Sequence, residues 1–587
     1  MISLTEQQRA AVQDRNNLSL VACPGSGKTR VIIAKLLALA EDTVERPRSI
    51  GCITYTNAAV DEIESRLKVY GSRKAMQLTS VATIHSFCLE NVLRPFSWLI
   101  EEVPSGFRVL SPQERDFNLI VEQTEGHFNR PVEFRTLDHY SSLRLDIQGN
   151  FAGTAIANGD ITREAANLYW RLVLERGYLD FSMILYYTFL ILRNFPWVAT
   201  GIASKFQWLL IDEYQDTTDV QIEILRCMQS VNVSKFFLVG DHEQSIQGFA
   251  GARLDLSEQF ADEIGGHRDF ALSGNFRSSR PVVAFAERII SRDPVMLAVG
   301  PNQDIAVEPQ YVHVDRAVNA ITELFLPALS DQSIELGNSA VLAPWWQHLI
   351  PIARALRRRG VPVFGPGARP YKKSRVFALL AEQLCACAES NDLLGIEGVE
   401  RALFRLVGQL SGKTRFDVFS YRGRMTALRL IYMARELAKT NGSGTSWLRS
   451  ASRQAVEIIV QDEWVPRRFA ETLVLSAEEI LSDMHKNKVD LEQLHIRDLG
   501  LFADPKSALK LSTLHHAKGR EYDAVALVHL NDGQIPHFSA RSQDEIDEAR
   551  RLFYVGATRA KKLLVLASDQ SNPRNVPTRF LEECGAR

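Results

Sequence analysis

Residues 22–29 read ACPGSGKT, with the apolar run Leu18–Ala22 ahead of them and a helical pattern over 30–40 behind. A buried strand turning through a glycine-bearing loop into a helix presents backbone N–H groups, and the helix N-terminus adds partial positive charge. Such a loop can cradle polyphosphate. Lys28 is long enough to reach β- and γ-phosphates, and the Thr29 hydroxyl can ligate Mg2+. Gly25, Ser26, Gly27 and Arg30 complete the candidate contacts. Ala22 stands where the general pattern carries glycine.

Apolar runs recur at 50–55, 206–211 and 236–240, then at 339–343, 511–514, 523–528 and 563–566, each followed by a helical pattern. This alternation predicts an α/β fold with parallel sheets, and the two groups of strands predict two cores. Residues 96–199 and 376–510 carry few strand signals and read as helical insertions, with 165–175 and 376–389 as examples. Within the second, 441–446 (NGSGTS) reads as a loop. A length of 587 residues at roughly 150 per domain gives about four units.

The net charge of −2 argues against wrapping nucleic acid by bulk charge but leaves room for a local basic groove. Two clusters could supply one. Residues 411–453 hold nine basic residues against two acidic, and 354–359 read RALRRR. Each is equally readable as a solvated helix face or a phosphate track. The seven cysteines are scattered, and the pair Cys385 and Cys387 lacks zinc-site spacing, so all read as reduced thiols. The N-terminal MISLTEQQRA is polar, unlike a signal peptide. The best membrane candidate, 183–192, is too short to span. The expectation is a soluble, cytoplasmic protein with no membrane partner.

A second carboxylate-bearing element is LLIDEYQD at 209–216. Asp212 at the end of a buried strand is placed to hold Mg2+, and Glu213 could orient and deprotonate an attacking water. Arg277 in LSGNFRS and Arg559 in FYVGATRA could stabilise charge building on a γ-phosphate. From pattern alone each reads more readily as a surface or structural group, and only the order of all the motifs changes that.

In this order the motifs resemble those of the UvrD/Rep/PcrA-like helicases of superfamily 1, from residue 4 to about residue 583. LTEQQRAAV (4–12) is similar to the family's Q motif. The resemblance gives Gln8 an adenine contact, while the residues alone read Thr5 and Gln8 as a helix-capping box. TYTNAAVDEIESR (54–66) and VATIHSFC (81–88) resemble motifs Ia and Ib, which implies single-stranded DNA contacts at Tyr55, Asn57, Thr83 and His85. VGDHEQSIQGFAGA (239–252) resembles motif III. Gln244 then links the γ-phosphate to the DNA groove, and Phe249 stands where relatives stack a Trp on a base. Gln247 replaces a frequent Tyr, so one aromatic is missing.

GNFRSS (274–279) resembles motif IV, giving Phe276 the adenine-stacking role and Arg277 the finger role. LSTLHHAKGREYD (511–523) resembles motif V, with His515 toward DNA and Glu521 toward the nucleotide. DEARRLFYVGATRAKKLLVL (547–566) resembles motif VI and supports Arg559 as second finger. SAVLAPWWQHL (339–349) matches poorly, with Pro344 and Trp346 where relatives carry Arg and Asn.

The resemblance implies two RecA-like P-loop cores, 1A (1–95 and 200–276) and 2A (277–375 and 511–587). Each carries a mainly helical insertion, 1B (96–199) and a reduced 2B (376–510), and ATP with Mg2+ sits between the cores. It implies an ATP-dependent DNA translocase or helicase moving 3′ to 5′ on single-stranded DNA or a single-strand/duplex junction. The reduced 2B and the end of the chain soon after motif VI leave an alternative. This is a nucleotide-sensing subunit that governs a partner nuclease, as in small UvrD-like subunits of antiphage systems of the Gabija type.

Overall fold

A computed structural model of the chain describes residues 2–42, 47–133, 135–266, 270–389, 395–412, 415–572 and 575–586. It divides into two compact units, Met1–Ile305 with Ser542–Tyr554, and Ala306–Arg541 with Val555–Arg587. Each unit is built on one six-stranded parallel sheet.

In the first unit the strands are β1 (Leu18–Ala22), β2 (Ser49–Thr54), β3 (Thr79–Thr83), β4 (Phe206–Asp212), β5 (Lys235–Gly240) and β6 (Ala271–Leu272). Their spatial order is β6-β1-β5-β4-β2-β3. A parallel sheet is covered on both faces, which is why β4 (FQWLLID) and β5 (KFFLVG) are almost continuously apolar. On one face Leu18, Leu20, Leu210 and Val239 pack against Val31, Leu36 and Leu39 of helix α2 (Lys28–Asp42). On the other, Phe206, Leu209, Ile211 and Leu238 share a core with Tyr169, Tyr187 and Leu192 from the 96–199 segment. Each such buried side chain contributes about 1.5–3 kcal/mol. The segment is mostly helical, and residues 183–192 lie in a largely buried helix, Phe181–Asn194. Among the described residues no helix is long and apolar enough to cross a membrane.

The second unit contains β7 (Gln310–Val314), β8 (Ser339–Ala343), β9 (Val363–Phe364), β10 (Leu509–Thr513), β11 (Tyr522–Leu527) and β12 (Ala560–Asp569). Their order is β7-β12-β11-β8-β10-β9. Among the described residues, 376–508 contain helices and no strand, packed around a core that includes Leu384, Leu403, Leu430 and Trp447, and β10 begins at Leu509. The NGSGTS segment is shorter as a loop than its composition suggests. Ser443 accepts a hydrogen bond from the Ser446 N–H (3.2 Å) and starts the helix Gly444–Gln461.

All eight apolar runs fall on strands, while β3, β6, β7 and β9 lacked a signal. Residues 277–305, expected with the second core, belong to the first unit, as does 542–554. The basic excess over 411–453 is largely matched by acids from neighbouring helices. Arg424 pairs with Glu400 (2.8 Å), Arg449 with Glu478 (2.7 Å), and Arg422 with Glu463 (3.6 Å). Arg429 pairs with Asp462.

Candidate functional site

Register brings the chemistry of the first unit to one edge. Val21 lies opposite Gly240, Val239 opposite Asp212, Ile53 opposite Ile211, and Thr54 opposite Thr83. In parallel strands all C-terminal ends share a side. The loops leaving β6, β1, β5, β4, β2 and β3 therefore emerge side by side. In that order they carry Arg277, Lys28, Gln244, Glu213, Tyr55 and His85.

Helix α1 (Glu6–Gln13) starts at the Thr5/Gln8 capping box. Gln8 Oε1 accepts from Thr5 N (3.1 Å), and its Nε2 donates to the Ser26 carbonyl (2.8 Å). The capping residue thus also props the phosphate loop. Gly25 and Gly27 hold φ of +69° and +82°, a region that costs other residues steric energy. A Cβ on Gly25 would stand 2.7 Å from the Arg277 Cβ, so only glycine lets the 274–279 segment close on the loop. Phe276 N donates to Gly25 O (2.9 Å), and Arg30 lies 6.0 Å from the Phe276 ring centre. The buried Ser26 hydroxyl has no hydrogen-bond partner among the described residues. A glycine cradle, an unsatisfied hydroxyl and a helix N-terminus fit a polyphosphate. The hydroxyl of Thr29 and carboxylate of Asp212 are hard oxygen donors suited to Mg2+.

Lys28 Nζ lies 3.1 Å from Glu213 Oε1 and 3.2 Å from Oε2. Burial lowers the affinity of this ammonium for its proton. The charges of Glu213, Asp241 and Asp212 outweigh burial and hold the pKa above its ordinary value. Burial first, then the Glu213 charge, pushes Asp212 up to about 7. Glu213 itself sits at φ 52°, ψ 42°. A left-handed conformation in a side-chain-bearing residue stores roughly 1–3 kcal/mol and concentrates at working sites. Gln215 ties Glu213 to the next strand end. Its Nε2 donates to Glu213 Oε2, and its Oε1 accepts from Asp241 N (3.0 Å).

Asp241 and Arg292 were not singled out in the sequence, and they form the centre of the edge. Asp241 is fully buried. It accepts from Gln244 Nε2 (2.6 Å) and Arg292 Nη1 (2.8 Å). Arg292 also reaches the Tyr554 hydroxyl (3.3 Å) and the Ala22 carbonyl (3.5 Å). Asp241 and Tyr554 hold the arginine pKa well above its usual value against the opposing effect of burial. The only signal in sequence was Asp241 inside the GDHEQ stretch; Arg292 lies in no motif.

The outer part of the edge is less uniform. Phe249 is 57 % exposed on the turn Gly248–Ala250. Glu548 accepts from Gly248 N (2.9 Å), and Arg551 donates to Ser245 O (2.8 Å), fixing that turn. Tyr55 and Asn57 are exposed. Thr83 caps a helix by accepting from Ser86 N (3.3 Å). His85 packs edge-on to Phe181 at 5.4 Å, and burial lowers it to about 4, so it is neutral at physiological pH.

Three expected residues lie in the second unit. Arg559 is buried, donating to Val555 O (2.9 Å), Arg520 O (3.1 Å) and Thr558 Oγ1 (3.3 Å). Glu521 pairs with Lys561 (2.8 Å). Burial, His516 and Lys518 lower His515 to about 4.

A glycine cradle, an ion-paired lysine and a strand-end carboxylate pair define a P-loop nucleotide-binding unit. The UvrD/REP helicase N-terminal domain profile matches residues 4–265, and the UvrD-like helicase C-terminal domain profile matches 472–571. ATP-dependent DNA helicase PcrA of Staphylococcus epidermidis is 22% identical, over 99% of this chain and 86% of that protein. ATP-dependent DNA helicase UvrD1 of Mycobacterium tuberculosis is 24% identical, over 98% and 84%. ATP-dependent DNA helicase srs2 of Schizosaccharomyces pombe is 25% identical, over 97% and 72%. The chain belongs to the UvrD/Rep helicase family.

Two consequences are testable. Asp212 titrates near 7 when folded against 3.8 ordinarily. Between those values the unfolded chain ionises first, so folding stability falls as pH rises across the window. Asp212→Asn flattens that dependence, and thermal melts of the ligand-free protein from pH 4 to 7 read it; parallel wild-type and variant curves contradict the assignment. Arg292→Met leaves the Asp241 charge buried without its ion-pair partner, held by the Gln244 amide. Loss of one partner of a buried pair costs about 3–5 kcal/mol, so the melting temperature drops, and adding Asp241→Asn restores part of it. A single variant that melts like wild type contradicts the hub.

Proposed function

We propose that the chain is an ATP-dependent DNA translocase or helicase. The observation that carries this reading is the shared sheet edge, where a phosphate loop and an exposed aromatic turn are joined through the buried Asp241 and Gln244. The relatives' names, all ATP-dependent DNA helicases, point the same way.

In this reading residues 25–29 bind the phosphates of ATP, and Lys28 releases Glu213 to neutralise them. Thr29 and Asp212 hold Mg2+, which screens phosphate charge when bound. Glu213 then takes the proton of the attacking water. Arg277, beside Gly25, and Arg559 of the second unit stabilise the γ-phosphate charge. Phe276 and Gln8 receive the adenine, and Glu521 the rest of the nucleoside. Gln244 senses the γ-phosphate and passes its state to Phe249, which stacks on a base. Tyr55, Asn57, Thr83, His85 and His515 complete the strand contacts, and movement runs 3′ to 5′. The four-part arrangement of 1A, 1B, 2A and 2B is part of the same proposal, with the 1A/2A border moved to about residue 305.

The alternative, a nucleotide sensor governing a nuclease, draws no support from the relatives' names. It expects ATP binding with no response of turnover to DNA.

Single-stranded DNA is expected to raise ATP turnover at least tenfold, and Glu213→Gln to bind ATP while hydrolysing it at least a hundredfold more slowly. The second magnitude is on the order of a general-base contribution. Turnover indifferent to DNA sinks the motor reading; normal turnover in Glu213→Gln removes the base assignment. Phe249→Ala is expected to weaken single-strand binding by roughly 1–3 kcal/mol, the scale of one stacked base. Fluorescence anisotropy reads the dissociation constant, and an unchanged value would leave Phe249 without a DNA role.

A further inference from the structure

The RALRRR stretch takes no part in the site above. It ends the helix Trp346–Arg358 in the second unit. Arg357 turns inward and donates to Ala368 O (2.9 Å) and Asn487 O (3.3 Å). Asn487 in turn donates to Pro370 O (3.0 Å). The helix, the strap over residues 367–375 and the end of the helix Thr472–Lys486 are thereby tied together.

Beside this tie lies a cavity of about 460 Å³ lined by Arg354, Arg369, Tyr371, Lys372, Arg375 and Lys486. Two of its cations are fixed by bidentate pairs. Arg369 binds Glu382 (2.7 and 3.0 Å) and lies 4.9 Å from the Phe502 ring centre. Arg375 binds Asp483 (2.9 and 3.0 Å), with Glu479 at 3.0 Å. The lining carboxylate, Asp483, is thus already committed, and the Tyr371 hydroxyl is held by Glu382 (2.9 Å). The side chains of Arg354, Lys372 and Lys486 have no hydrogen-bond or ion-pair partner among the described residues. In residues 411–453, by contrast, six cations are paired with acids, Arg415, Arg422, Arg424, Arg429, Lys439 and Arg449.

Arg354, Lys372 and Lys486 stand exposed around the hollow; Asp483 attracts Lys372 but is already bound by Arg375, and an anion with several acceptor oxygens relieves the remaining repulsion among the three. Burial, then the charges of Arg354 and Arg358, already lowers the pKa of Arg357 behind the rim. A volume of this size accommodates a small polyanion.

We propose that this cavity is a second phosphate-binding site, separate from the P-loop. It takes the phosphates of a free polyphosphate or nucleotide, or those of a nucleic-acid backbone. A bound phosphate would cross-link the sheet-side helix, the strap and the insertion helix, stiffening the root of the helical insertion. The proposal stands independently of the catalytic reading.

Lysine acetylation footprinting of the intact chain tests it, read by mass spectrometry at Lys372 and Lys486. The probes are inorganic tripolyphosphate and a blunt duplex DNA, at matched ionic strength. Labelling of both lysines is expected to fall severalfold with at least one probe, and the protection to vanish in Arg354→Glu. Lys486→Gln, read at Lys372, is expected to weaken protection likewise. Protection by tripolyphosphate alone assigns a free anion, by duplex alone a backbone, and by both the shared phosphate chemistry. No protection by either, or equal protection in Arg354→Glu and Lys486→Gln, overturns the proposal.

Discussion

Asp241 directly follows β5, with its carboxylate wholly removed from water. A charge in that position is costly unless it is paired and hydrogen-bonded. Arg292 and Gln244 supply the partners, and Gln215 fixes the backbone N–H. Because Gln215 also holds Glu213, and Glu213 holds Lys28, the network runs unbroken from the phosphate loop to motif III. Tyr554 and the Ala22 carbonyl extend it to the motif VI helix and the start of the loop. Removing Arg292 or Gln244 takes a partner from the buried Asp241 carboxylate, whereas the Lys28–Glu213 link is only part-buried.

Such a network is suited to signalling. Lys28 balances Glu213, and in the proposed reading a phosphate would compete for the same ammonium. The strained backbone of Glu213 aims its carboxylate at Lys28, with Asp212 beside it at the strand end. Parallel topology supplies the rest. Because every strand ends on one side, the groups that would read phosphate and those that would grip a strand are neighbours.

Much of this was legible in sequence where burial leaves a simple mark. Strands β1, β2, β4, β5, β8, β10, β11 and β12 are apolar because covered parallel strands must be. β3 reads TSVAT and is only partly buried, and β6 and β9 have two residues each, so neither gives a period to detect. The phosphate loop was readable because it needs glycine at fixed places. Arg292 was not, since its partners lie 51 and 262 residues away in the chain. Charge counting left 411–453 open, because several compensating acids lie outside the segment, at Glu400, Asp462, Glu463 and Glu478. Residues 277–305 fall in the first compact unit, and the 274–279 segment docks on Gly25.

Coupling between nucleotide state and strand grip is the central claim. Its most direct measurement is the dissociation constant of single-stranded DNA with a non-hydrolysable ATP analogue and with ADP, in wild type and Gln244→Ala. The account predicts a several-fold difference between the two nucleotide states in wild type, and its collapse in the variant. Equal affinities in wild type, or an undiminished difference in Gln244→Ala, would contradict it.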